Sequence, residues 1–462
     1  MLKRSQFHLG SITVGLFLCL TPLFTSAQVL TLEGALDATF AQYPTLAAQR
    51  SALDAVRANQ RVIRDNRLPN VRVHDQITLG TANGISGSYF SLGLIVPTSG
   101  GRRAENTMNL ATGNIALATM DWEVYNFGRF AAEDKLALAD ISVGEAALER
   151  EQFGLRQVVI NTYLELMRLR QSLAIEQRNM ARVDTARQII SNLVRNGIKP
   201  GLDSSLAVVA LSKAKLAYWQ VLEDYREAGI QLATLTGRPL ASMQIDTTFR
   251  VAALMTPATT ETPANTHPLL RLQDRLVTRQ TAEIELIRKA ALPRVSLLTS
   301  AWARGSSLDV NNKYGPLESG LVYSRANFLL GVAATINLTD LRRMNGRTQL
   351  QQFRVQEATS QLAVERVQLQ NALTSADSLL AVVRYKLDEL PIALQSANDA
   401  YKQRVSRYNN GLESILGLTD ALDLLTSIEK EYVATQNRAA RLRLQRAYAT
   451  NNFADFFALF RQ

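Results

Sequence analysis

Two helical stretches, each far longer than a globular core can wrap and each closed by an Asn-Gly turn, constrain this chain more than anything else in it. The first runs from Arg129 to Arg195, 67 residues without a proline, into Asn196-Gly197-Ile198. The second runs from Arg343 to Tyr408, 66 residues, and reaches Asn410-Gly411-Leu412. At a rise of about 1.5 Å per residue each spans about 100 Å, so it must pack as a rod against other rods. Val159, Leu166, Leu173 and Met180 recur every seventh residue, with Leu155, Leu169, Val183 and Ile190 on the partner position. That spacing is a coiled-coil seam. Thr162, Glu176 and Arg187 also fall on the seam, as suits a helix that touches several neighbours and water. Pro391 predicts a kink or a local break in the second stretch. After each turn the chain reverses into a return helix, about Leu202 to Leu235 and about Leu418 to Ala447.

The turns belong to a duplication. Gly197 and Gly411 stand 214 residues apart. Upstream, Pro44 to Pro69 and Pro268 to Pro293 are both 25 residues, and an offset of 224 aligns Leu46 with Leu270, Gln49 with Gln273, Ile63-Arg64 with Ile287-Arg288, and Val71 with Val295. The ten-residue difference in offset belongs in a loop. The chain divides into a first unit over 28–255, a Thr/Pro-rich linker over 256–268 and a second unit over 269–462, each reading helix, hairpin, long helix, return helix.

After each Leu-Pro pair the period drops to two. Val71, Val73, Ile77 and Leu79 alternate with polar residues, and Ala116, Ala118, Met120, Trp122 and Val124 alternate with Ile115, Leu117, Thr119, Asp121 and Glu123. In the second unit Val295, Leu297 and Thr299 open one strand; Phe328, Leu330, Val332, Ala334, Ile336 and Leu338 alternate along the other. Such strands suit a hairpin buried on one side by helices, or a membrane barrel with lipid outside and water inside.

Ahead of the first unit, Lys3 and Arg4, the apolar Ile12 to Leu20 and Thr25-Ser26-Ala27 read as a secretory signal over 1–27. The one cysteine, Cys19, lies inside it, so the mature chain has no thiol or disulfide. Losing the signal takes the formal charge from +10 to +8, with Lys and Arg dispersed among Asp and Glu. Dispersed charge on an exported chain argues against nucleic acid. Past the signal no apolar run approaches the ~20 residues of a membrane helix. Of three histidines, His8 is in the signal and His74 and His267 sit in different elements, so no metal cluster is visible. No phosphate-cradling loop, nucleophile elbow or cofactor motif appears. The chain does not read as an enzyme.

These residues carry a resemblance. Leu32-Glu33 with Ala35-Leu36, the proline-to-strand transitions at Pro69 and Pro293, the run Trp122 to Arg129 at the strand-to-helix junction, and the two turns with Gly197, Asp203, Ala207 and Gly411, Ala421 make the chain resemble the TolC-like outer-membrane efflux proteins over essentially its whole mature length. The resemblance implies a mainly α fold with a β-barrel part: long antiparallel coiled-coil helices crossing the periplasm, and two hairpins giving four strands to a twelve-stranded outer-membrane barrel shared by a homotrimer. It implies an exit duct for a tripartite pump or a type I secretion system, working with a periplasmic adaptor and an inner-membrane transporter. By position, Tyr408 and Asp203 match a hydrogen-bonded pair that holds the tip shut, Asp420 matches an entrance acid, and Asn196, Gly197, Ile198, Asn410, Gly411 and Leu412 form the docking turns. Two positions depart from the pattern: Gly417 stands where an acid is common, and Glu413 where some members have an arginine. Apart from the resemblance, Asp203 also suits a helix N-cap and Tyr408 a packed seam residue. The competing reading is a soluble periplasmic coiled-coil adaptor.

Overall fold

The computed structural model describes residues 29–84, 102–239, 244–246 and 266–460. The expected signal, most of the Thr/Pro linker and the Gly/Ser-rich connection after the first strand lie outside them.

The first unit opens with a two-residue strand β1 (Val29–Leu30), then α1 (Leu32–Gln42) and α2 (Pro44–Asp65). Thr31 caps α1 through its hydroxyl, and Pro44 starts α2, where a missing N–H costs nothing. Strands β2 (Asn70–Thr81) and β3 (Leu110–Tyr125) follow, then α3 (Arg129–Arg195) and α4 (Gly201–Thr236). A short strand β4 (Gln244–Ile245) pairs in parallel with β1. The second unit repeats the order with α5 (Pro268–Ala290), β5 (Arg294–Ser306), β6 (Arg325–Thr335), α6 (Leu338–Asn409) and α7 (Ile415–Thr450), ending in a short α8 (Ala454–Phe457). Two expectations need correcting. The local break allowed for at Pro391 does not occur, because helix α6 is continuous through it for 72 residues. Ile336 and Leu338 are not strand residues: β6 stops at Thr335, and Asn337 caps the helix that Leu338 begins.

The four long strands form one antiparallel sheet in the order β2-β3-β5-β6. Its register sorts the side chains by face. Val71 pairs with Met120, Met120 with Thr299 and Thr299 with Leu330; Val73 pairs with Ala118, Ala118 with Ala301 and Ala301 with Phe328. One face therefore gathers Val71, Val73, Ala118, Met120, Leu297, Ala301, Phe328, Leu330 and Val332, while Arg72, His74, Gln76, Ser300, Arg304 and Asn327 share the other. Asp75 is the charged residue on the apolar face, and the Tyr323 hydroxyl donates to it at 2.8 Å. Among the described residues the sheet lies across no helix, and its substantial contacts are within itself and with the 3₁₀ turn Leu317–Leu321. Its apolar face is open in the single chain, with Val73 76% and Phe328 84% exposed.

The junction from β3 into α3 uses the Trp122–Arg129 run. Phe127 and Gly128 both take positive φ, Arg129 pairs with Glu123 at 2.9 Å, and the Trp122 indole donates to the Arg67 carbonyl. Beyond it the helices stand side by side. Near the sheet the order is α2, α3, α5, α6; towards the turns it is α4, α3, α7, α6. The main core sits between, where Val159, Ile160, Leu166 and Leu169 of α3 meet Leu232, Leu442 and the C-terminal Phe453, Phe456, Phe457 and Phe460. The aromatic cluster is thus part of the packing.

His267 sits fully buried in this waist, at the start of α5. Its Nδ1 accepts from Leu269 N–H at 3.2 Å and its Nε2 lies 2.9 Å from the Tyr448 carbonyl, with Phe153 against the ring. This fixes the proton on Nε2. Burial pushes its pKa below the ordinary 6.5. A depressed histidine contributes stability that is present above the unfolded value and lost as pH falls through the folded one. The melting temperature should therefore drop on acidification from pH about 7 to about 5. His267→Asn, which keeps a capping acceptor, should lessen the drop in a thermal-melt series.

Candidate functional site at the helical tip

The two Asn-Gly turns have the same geometry. Gly197 N–H donates to Val194 O at 3.0 Å and Ile198 N–H to Leu193 O at 2.9 Å; Gly411 N–H donates to Tyr408 O at 3.0 Å and Leu412 N–H to Arg407 O at 2.9 Å. Both are Schellman closures, and they require the left-handed residue that Gly197 (φ 73°) and Gly411 (φ 76°) supply. Ile198 and Leu412 point outward, 61% and 71% exposed, so the turns form the free end of the rods.

One layer inside, Ile190 of α3, Ala207 of α4, Tyr408 of α6 and Ile415 and Leu418 of α7 make a small core joining all four tip helices. Tyr408 is its largest member and wholly buried. Burial, and then the nearby Asp203 carboxylate, push its phenol up to about 12. The pair does not close to an ordinary hydrogen bond, for Tyr408 Oη is buried with no partner at bonding distance. Asp203 is not the cap of α4. Pro200 holds that position and its carbonyl accepts Asp203 N–H at 3.0 Å, leaving the Asp203 side chain free in the first turn, where the helix dipole favours an anion.

Sequence reasoning named Glu413 only as a departure and did not single out Lys199. The ammonium of Lys199 donates to the Glu413 carbonyl at 3.1 Å and lies 5.2 Å from the centre of the Tyr408 ring. The Glu413 carboxylate turns the other way, 2.6 Å from Arg404 and 3.6 Å from Arg407. The Arg404 guanidinium holds its pKa below the usual range. Gly417 makes room for that pair: a Cβ there would stand 2.5 Å from Glu413 Oε1 and 2.9 Å from Arg404 Nη1.

Farther from the tip, α3 and α7 are joined by a polar ladder. Arg182 grips Glu429 through two bonds of 3.0 and 2.8 Å, the Thr426 hydroxyl donates to Asn179 at 3.0 Å, and Lys430 pairs with Glu176. Glu176, expected as a polar seam residue, is 1% exposed. A groove of about 480 Å³ opens beside it between α4 and α7. Asp420 lies on its wall, exposed, together with Lys213 and Asp423. The structure thus brings Asp203 and Tyr408 together and sets Asp420 apart from them. Among the described residues no group of acidic or histidine side chains could hold a metal ion, and no helix is long and apolar enough to cross a membrane.

An open-edged sheet with an apolar face, carried on rods of about 100 Å that end in paired turns, is the architecture of the class that the sequence resembles, the TolC-like outer-membrane efflux proteins. Residues 35–238, the greater part of the first unit, match the family model for outer membrane efflux proteins. The pyoverdine export outer membrane protein OpmQ of Pseudomonas aeruginosa is 23% identical over 340 residues, which span 71% of this chain and 66%, just under two thirds, of that protein. In structure the chain is similar to the outer membrane protein VceC of Vibrio cholerae (TM-score 0.71, 17% identity, 91% of this chain and 95% of that one). It is also similar to CusC (TM-score 0.72, 13% identity, 91% of each). At such identities these likenesses establish the fold.

Proposed function

We propose that the chain is a passive exit duct: copies of it close a barrel in the outer membrane, and the helical tip gates the periplasmic end. The open sheet is the observation that carries this reading. Among the described residues nothing pairs with the outer backbone groups of strands β2 and β6, and hydrocarbon does not tolerate such open edges, so the sheet must close on other copies. The helices have matching edges. On the β6 side α6 exposes Phe353, Val364, Val367 and Ile392; on the β2 side α4 exposes Val209, Leu216, Trp219 and Ile230. Two unlike edges running the length of the molecule suit a head-to-tail interface, which closes into a ring when the rotation between copies permits. The class implies three copies and twelve strands.

In this reading the exposed turns at Asn196-Gly197-Ile198 and Asn410-Gly411-Leu412 receive a periplasmic adaptor. Tyr408, with Asp203 beside it, holds the hairpins together, and Asp420 lines the way in. The chain carries no nucleotide-binding motif, so an inner-membrane transporter of a tripartite pump or a type I system supplies the energy and selects the cargo. The expected result with purified protein in planar lipid bilayers is discrete pores of low conductance at rest. Recovery of the protein as a freely soluble periplasmic species that forms no pores would favour the adaptor reading instead.

A further inference from the structure

Lys199 and Glu413 occupy the same position in the two units, each two residues after its turn glycine and 214 residues apart, and they carry opposite charge. The fold brings them together. The ammonium of Lys199 is the polar bond from the first turn to the second, and its target is a backbone carbonyl, not the carboxylate. The same ammonium lies against the ring of Tyr408, the largest buried side chain of the tip core. From these contacts we infer that Lys199 is the positioning residue of the closed tip: it fastens the α3–α4 hairpin to the α6–α7 hairpin inside one subunit and seats Tyr408.

The division of labour follows from the chemistry. Glu413 is already neutralised by Arg404 and Arg407, which leaves its carbonyl as the free acceptor facing the first turn. A cation there gains both a hydrogen bond and the face of an aromatic ring, and releasing it sets the two hairpins free of each other without disturbing the Arg404–Glu413 pair. Separation of the tips therefore begins at Lys199, and the arginine pair moves with the second hairpin as a unit.

This inference rests on the gated-duct reading, and the test separates the two. Lys199→Met keeps the stem and removes the charge. In planar bilayers it should raise the open-to-closed ratio of the resting pore roughly thirtyfold, the combined size at the low end of one charged hydrogen bond and one exposed cation–π contact. Lys199→Arg should restore wild-type behaviour, and Glu413→Gln, which keeps the carbonyl, should open the pore less than Lys199→Met does. Hydrogen exchange across 404–418 gives a reading that needs no pore: amides there should exchange faster in Lys199→Met, while those of the waist over 155–170 stay unchanged. Wild-type exchange rates at the tip of Lys199→Met, or equal conductance in a protein that does form pores, would overturn the role of Lys199. A wild-type protein that forms no pores, with faster tip exchange in the variant, would overturn the duct and leave the staple standing.

Discussion

Tyr408→Ala should leave the tip open at rest, whereas Tyr408→Phe should leave it closed. The side chain is wholly buried at the meeting point of four helices, and deleting a buried ring of that size costs about 3–5 kcal/mol, enough to undo a small core. The hydroxyl is different. It has no partner at bonding distance, so removing it takes away an unmet desolvation penalty and should be neutral or slightly stabilising. Single-channel recording reads both outcomes. The closed-tip hypothesis then adds a pH dependence. The phenol is raised from 10.0 to about 12, so its contribution is complete below the ordinary value and is lost as pH rises from the one to the other. Wild-type pores should open across that window, and Tyr408→Phe pores should not. Asp203→Ala should act more weakly than Tyr408→Ala, because the carboxylate adds repulsion to a phenolate and no formed bond to the phenol.

The second large effect is expected at the ladder. Lys430→Met leaves the Glu176 carboxylate 1% exposed and without its counter-ion. An uncompensated buried charge costs about 3 kcal/mol, near the lower end of the usual range because the Lys430 side chain is itself half exposed. The α3–α7 contact should loosen, with faster hydrogen exchange near 176–183 and 426–430 and a lower melting temperature. Converting both partners, Glu176→Met with Lys430→Met, should recover most of the loss, since an apolar pair needs no compensation. A single variant as stable as wild type would show that water reaches Glu176.

Much of this architecture is legible in the residues because the signals are local. Helix length follows from periodicity and the absence of proline; the turns follow from Asn-Gly; the strands follow from alternation after Leu-Pro. The misreadings arise where tertiary contacts override such signals. Pro391 forfeits one backbone bond, but Leu387 and Leu390 beside it are buried, and the packing of α6 along α7 carries the helix through. Alternation past Thr335 continues by chance into a helix whose start is set by the Asn337 side chain. At the tip, the resemblance pointed by position to Asp203, six after Gly197, and to Tyr408, three before Gly411, which lie near each other without a formed hydrogen bond. It could not show that Glu413 faces Arg404 over Gly417, because that depends on how two hairpins lie together. The signal for Lys199 was present, an opposite charge at the duplicated position, but only a structure shows that the two turns touch.

The central claim, closure of the sheet by neighbouring copies, is tested most directly by cross-linking its two edges. Cys19, inside the expected signal, is the sole native cysteine, so Val73→Cys on β2 and Leu330→Cys on β6 would be the reactive pair. Within one chain these strands are separated by two others, about 14 Å at ordinary strand spacing, beyond the span of a disulfide. A short bis-maleimide reagent applied to membranes should convert the double variant to a covalent trimer on a denaturing gel, with either single variant giving none. A double variant that stays monomeric would contradict the ring.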